Sequence, residues 1–308
     1  MEDPKRVSRL LGRSLGVNKN IQKLFLSFRK NLTDQDLLYL ADSLKRLKSL
    51  QRIALKVDRC KVADFGLFSL MKGLTRLSSP KSFSLSLDSL FVSNVGLNYT
   101  RKSLKKMAFL KYIHISFDNF LQVVDEGVFK VNGSLNRLTK LEDVALKIFE
   151  SPQITDVILA NLKLKKLVFF LRKISIFFAD CSQVTDRIMY FMTQGLKKLR
   201  NLQSFKLKFW KCPGLSDVSL HYLWEMMNDL KCLASVQKFC LEFRCCPKIT
   251  DAGLAYLCKA LDRAISLQSL SIAFPDFSGI TYLSVKRVID CLKKSGSFAI
   301  CWSRFFAE

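Results

Sequence analysis

Cys240, Cys245, Cys246 and Cys258 stand close together in the chain, and four thiolates gathered around one point would bind zinc. Zinc sites usually announce themselves by Cys-x-x-Cys or His-x-x-x-His steps, which put two ligands on one turn, and neither step occurs here. Cys181, Cys212 and Cys246 instead each precede an aliphatic residue (Val184, Leu215 and Ile249) by three positions. They fill one repeated place, where cysteine serves as a small buried hydrophobe. The two histidines, His114 and His221, lie on distant segments and offer no paired general base. Aspartates recur after a hydroxyl residue, as in Thr33 with Asp34, Thr155 with Asp156, Thr185 with Asp186, Ser216 with Asp217 and Thr250 with Asp251. Here the hydroxyl is an N-cap and the carboxylate meets the positive end of a helix dipole, which explains the pair without catalysis. With twelve glycines in the chain and no glycine-rich run, a phosphate-cradling loop is not expected either. The reading is therefore of a protein without catalytic residues, metal or cofactor.

The elements that carry these residues repeat. The clearest copy has Phe239, Leu241 and Phe243 alternating as a strand. Ile249, Thr250, Asp251, Gly253 and Leu254 follow, and Leu257 and Leu261 continue at helical spacing. Nine strands begin near Leu24, Ile53, Phe83, Ile113, Val144, Ile174, Phe205, Phe239 and Leu270. A second landmark keeps the same period at Leu32, Val62, Val92, Val123, Ile154, Val184, Leu215, Ile249 and Ile280. Departures are local: Ala63-Asp64, Ser93-Asn94 and Thr281-Tyr282 replace the hydroxyl–aspartate pair, and glycine is missing from the fifth to seventh copies.

The stretch from Cys246 to Leu254, Cys-Pro-Lys-Ile-Thr-Asp-Ala-Gly-Leu, resembles leucine-rich repeats of the ribonuclease-inhibitor type, including the cysteine-containing subtype of F-box substrate receptors. The long strand Phe205, Leu207, Phe209 is similar to that of arrays in protist proteins. The resemblance covers residues 21 to 294 and implies an α/β solenoid, curved, with a parallel sheet on the concave side and helices on the convex side. It implies binding and names no partner. Residues 1–20 are expected to form a capping helix, with Asp3 as N-cap and Pro4 in its first turn. Residues 295–308 are expected to add a capping strand through Phe298, Ile300 and Trp302.

Fifty lysines and arginines against 26 acids give a net charge of +24 and favour anionic neighbours. Taking three outward positions per strand, the concave face carries Lys23, Arg52, Lys56, Lys147, Lys173, Lys206, Lys208 and Lys238 against Asp143 and Glu242. Most of the basicity thus belongs to helices and loops. Ser82, Ser84, Ser86, Ser116 and Ser175 form a small neutral stretch where another backbone could approach. Lys56, Lys147, Lys173, Lys206, Lys208 and Trp210 are the expected concave-face contacts. A separate basic surface is expected at Lys105, Lys106, Lys165, Lys166, Lys197, Lys198 and Arg200, near helix C-termini. No apolar run is long enough to span a bilayer, and the N-terminal segment is broken by Lys5, Arg6, Arg9 and Arg13. The expectation is an intracellular protein, cytoplasmic or alternatively mitochondrial, with reduced thiols, that scaffolds protein partners in a larger assembly. RNA or an acidic lattice such as microtubules is the alternative partner for the basic surface.

Overall fold

Alternating apolar residues project to one side of a strand, so a short strand with three of them must bury that side against something. The computed structural model describes residues 20–30, 32–77, 80–135, 137–159, 170–196, 199–229, 235–262, 267–274, 279–293 and 298–301. The chain forms two compact units, Met1–Gln153 and Ile154–Glu308. The expected capping helix of residues 1–20 falls, but for Asn20, outside the described residues.

In the first unit, β1 (Lys23–Arg29), β2 (Arg52–Asp58), β3 (Ser82–Asp88), β4 (Tyr112–Asp118) and β5 (Asp143–Phe149) pair in parallel and in chain order. Between them run α1 (Asp34–Leu44), α2 (Asp64–Leu74), α3 (Asn94–Leu104) and α4 (Asp125–Leu135). The described part of the second unit opens with a 3-10 turn, Asp156–Leu159. It continues with β6 (Lys173–Ala179), α5 (Arg187–Leu196), β7 (Ser204–Trp210), α6 (Asp217–Asp229) and β8 (Lys238–Arg244), and then α7 (Asp251–Leu261), β9 (Ser269–Ala273), α8 (Tyr282–Leu292) and β10 (Phe298–Cys301). β6 to β10 are likewise parallel neighbours. The register puts Leu24, Ile53, Phe83, Ile113 and Val144 in one row, and Ile174, Phe205, Phe239, Leu270 and Phe298 in another. Each unit is an α/β solenoid of the leucine-rich-repeat type. The nine strand landmarks and the nine loop landmarks read from the sequence are all buried, none more than 8% exposed.

The two cores are filled differently. In the second unit Phe178, Phe209, Phe243 and Phe274 stack face to face from repeat to repeat, with centroids 5.9, 5.3 and 5.7 Å apart. Such pairs add to area burial. In the first unit the corresponding strand position holds Val57, Leu87, Phe117 and Ile148, all buried.

The hydroxyl–aspartate pairs do more than cap their own helices. Asp64 Oδ1 accepts from the Ser93 amide (2.8 Å) and the Gly96 amide (2.9 Å), and its Oδ2 accepts from the Ser93 hydroxyl (2.6 Å). Asp156 serves Thr185 in this way, Asp186 serves Ser216, Asp217 serves Thr250, and Asp251 serves Thr281. Each carboxylate therefore closes the helix start of the following repeat, satisfying donors that the helix itself leaves open. This contact explains the motif glycine. A Cβ at Gly66 would lie 2.4 Å from Asp34 Oδ1, and one at Gly253 would lie 2.3 Å from Asp217 Oδ1. Where serine replaces glycine, at Ser219, its hydroxyl bonds to Asp186 Oδ1 instead. Ile188 and Ile158 occupy the same position without a polar group. Accordingly, α5 starts one residue late and the fifth repeat begins with a 3-10 turn.

The first repeat has Asp36 in the glycine position, and its buried carboxylate accepts from the Thr33 amide (2.9 Å) and hydroxyl (2.7 Å). It supplies from within what later repeats receive from the one before. At the other end, the ninth repeat carries exposed Tyr282 where a carboxylate would reach onward. The chain leaves most strands through a left-handed residue with no glycine among them, at Lys30, Arg59, Asn119, Glu150, Asp180, Lys211 and Cys245.

Candidate functional site

In a repeat whose helices cover one side of a parallel sheet, the other side is open and its side chains are set by strand register. In the first unit that face holds a shallow depression of about 370 Å³. Its floor is built from the short side chains Ser84, Ser86, Ser116 and Ala145 on β3, β4 and β5, and Lys56 and Lys147 flank it. His114 lies 3.4 Å from Asp143 through Nε2. Lys56 Nζ is 2.9 Å from Asp58, so one expected contact residue is already paired, though exposed enough that the pair contributes under about 1 kcal/mol.

At the C-terminal ends of the strands an acidic row runs through Asp58, Asp88 and Asp118, a position beyond the three per strand considered from the sequence. Asp88 accepts from Asn119 Nδ2 at 2.9 Å, whereas Asp118 Oδ1 is buried with no hydrogen-bond partner. Burial, and then repulsion from Asp88, Glu150 and Asp58, pushes the Asp118 carboxyl up to about 6.

The open face of the second unit is arranged around one carboxylate. Glu242, only 3% exposed, accepts from Trp210 Nε1 at 3.1 Å and from Lys208 Nζ at 2.6 Å, and the Arg244 guanidinium contacts it as well. Burial opposes its charge, but Lys208 and Arg244 outweigh that and hold it below the usual carboxylate range. Arg244 also lies over the Trp210 ring at 4.9 Å, and Phe177 meets that ring edge-on at 4.6 Å. The structure thus brings Lys208 and Trp210 together, and spends the charge of Lys208 internally. Lys173 and Lys206 remain exposed on β6 and β7, as does Lys147 on β5. Trp210 is the last residue of β7.

Of the second basic set, Lys105 and Lys106 follow α3 directly. Partial burial, then the charges of Arg101 and Arg137, hold the Lys105 ammonium below its ordinary range. Arg200 is exposed before β7, while Lys165, Lys166, Lys197 and Lys198 lie outside the described residues. Helix C-termini of the first unit carry Lys45, Arg46, Lys72, Arg76, Arg101 and Lys102 as well. This unit therefore has a basic rim where helices end and an acidic row where strands end.

Cys60, Cys181, Cys212 and Cys246 are buried, and each thiol donates to the backbone carbonyl two residues earlier, at 3.2 to 3.4 Å. Burial pushes the Cys246 thiol up to about 12, an inert state. Among the described residues no group of three His, Cys, Asp or Glu is placed to hold a metal ion, and no helix is long and apolar enough to cross a membrane.

No protein-family model matches this chain, and no curated protein matches it. Among solved structures, one chain of a yeast Rad7 and Elc1 complex is similar over 96% of this chain and 74% of its own length. The identity is 14% and the TM-score 0.48.

Proposed function

We propose that the protein is a non-enzymatic binding scaffold that holds protein partners within a larger assembly. The observation that carries this reading is the uncovered sheet face of the first unit. Its Ser84, Ser86 and Ser116 floor lets a partner's backbone approach, with Lys56, Lys147 and His114 placed around it to accept acidic or polar groups. The ribonuclease-inhibitor-like subtype rests on the motif from Cys246 to Leu254, and the Thr250 of that motif is engaged in joining repeats. The inert thiols fit a reducing compartment, cytoplasmic or mitochondrial. The test is to fill the floor with S84W and S116W in the full chain. Loss of incorporation into the native assembly, with unchanged urea stability, is the expected result. Normal incorporation of both variants would sink the reading.

A second reading follows from the basic rim of the first unit, where Lys105 is crowded by Arg101 and Arg137. In it the protein packs on RNA phosphates or an acidic lattice without reading sequence. Binding through about six phosphates would weaken around a thousandfold between 50 and 200 mM salt. Charge reversal at Lys105 and Lys106, or at Lys197, Lys198 and Arg200, would abolish assembly under this reading and leave it intact under the first.

A further inference from the structure

Single apolar side chains on a surface are ordinary, but a contiguous set is not. In the first unit Phe65, Leu90, Phe91, Val95, Leu121 and Val124 are exposed, with Phe91 at 51% and Val95 at 54%. All six sit on one rim, where strands β2, β3 and β4 turn into helices α2, α3 and α4. The turn segments run side by side there, bridged between Ala63 and Phe91 and between Ser93 and Gln122. On the opposite rim of this unit Phe109 is exposed, and it lies under the Lys140 ammonium at 5.0 Å.

The same rim carries the acidic row. Asp88 is two residues from Leu90, and Asp118 three from Leu121. Asp58 is neutralised by Lys56 and faced by Arg29, but Asp88 has an amide for a partner, and Asp118 Oδ1 has none. The apolar strip is therefore edged at Asp88 and Asp118 by carboxylates in no ion pair among the described residues, while the exposed cations of this rim, Arg59 and Lys61, stand apart in the β2–α2 turn.

We propose that this rim is a docking site for a cationic, apolar segment of another protein, in which lysine or arginine alternates with aliphatic or aromatic residues. Burial of Phe91, Val95 and Leu121 supplies the attraction, and the cations of the segment meet Asp88 and Asp118. Nucleic acid and anionic lipid carry the wrong charge for this rim. A second copy of the chain would set two net charges of +24 against each other. The inference goes beyond the scaffold reading, because the rim is a different surface from the serine floor. Its failure would leave that floor untouched.

The experiment measures fluorescence anisotropy of labelled peptides against the full chain at near-physiological salt. The probes are an alternating arginine–leucine peptide, an arginine–serine peptide of equal length and a glutamate–leucine peptide. The arginine–leucine peptide should bind the wild type, and D88N/D118N and F91S/L121S should each weaken it about tenfold or more. The arginine–serine peptide should be weaker by a similar factor, and K105E/K106E on the opposite rim should not weaken binding. Urea unfolding of F91S/L121S should match the wild type, because both side chains are exposed, so this pair decides the question if the aspartate variant misfolds. Equal affinity for wild type and F91S/L121S, no binding of the arginine–leucine peptide, or preference for the glutamate–leucine peptide would overturn the proposal. Self-association of the wild type that F91S/L121S abolishes would assign the rim to a second copy and overturn it too.

Discussion

The two open sheet faces are built on one repeat and treat charge in opposite ways. On the second unit, Glu242 is buried, yet both of its oxygens meet donors from the neighbouring strand β7, and with Arg244 of its own strand Lys208 and Trp210 form a closed group around it. On the first unit the charged side chains stand around a floor of serines, and Asp118 is held against Asp88 without an opposite charge of its own. A face whose charges are mutually satisfied has little left to offer a ligand, whereas repelling carboxylates are relieved when a cation arrives. The same order of parallel strands thus yields one face that is internally braced and one that is primed for contact. The difference lies in single residues at equivalent strand positions.

The largest effect should come from the cores behind these faces. F209A interrupts the stacked phenylalanines of the second unit and should cost about 3–5 kcal/mol, against about 2–5 for L85A in the first. All three tryptophans lie beyond residue 153, so tryptophan fluorescence during urea unfolding reports the second unit, and hydrogen exchange resolves both. A loss at F209A no greater than that at L85A would show that the stacking adds nothing. Next is the carboxylate ladder. D64A orphans the Ser93 and Gly96 amides and should cost about 1–3 kcal/mol, with faster exchange at the start of α3 rather than of α2. Protection lost at the start of α2 instead would refute coupling to the following repeat. G253A should be destabilising by about 1–3 kcal/mol although alanine favours helices, because its Cβ meets Asp217. An increase in urea midpoint would show that the contact relaxes freely.

The smallest effect is the one that separates the faces most cleanly. Asp118 has its carboxyl raised to about 6, so its contribution is complete below the ordinary aspartate range and is lost as pH rises through 6. Glu242 is depressed, so its contribution is present above the ordinary glutamate range and is lost as pH falls through its lowered value. Between pH 4.5 and 7, rising pH should destabilise the first unit and leave the second unchanged, a contrast that D118N should abolish. Hydrogen exchange across that range checks it, and parallel behaviour of the two units would remove the electrostatic distinction.

Strand positions were legible because alternation and burial are the same fact seen twice: Leu24, Ile53, Phe83 and their successors fall in one register row. The joining role of the aspartates was not, because Asp64 and Ser93 are a full repeat apart and local capping already accounts for both. The pairing of Lys208 with Glu242 could have been found by aligning the two strands, since they are direct register partners. The acidic row escaped because three outward positions per strand stop short of the residue where Asp58, Asp88 and Asp118 stand. The apolar rim lies in turns, where neither period two nor period 3.6 applies.

The ladder has a direction. Asp64, Asp156, Asp186, Asp217 and Asp251 each close the repeat that follows, and Asp36 lets the first repeat close itself. On a ribosome the N-terminal repeats emerge first, so each rung in a unit finds its acceptor already folded and waiting. Assembly can then keep pace with synthesis, and a chain interrupted partway would hold a finished edge rather than an unfinished one.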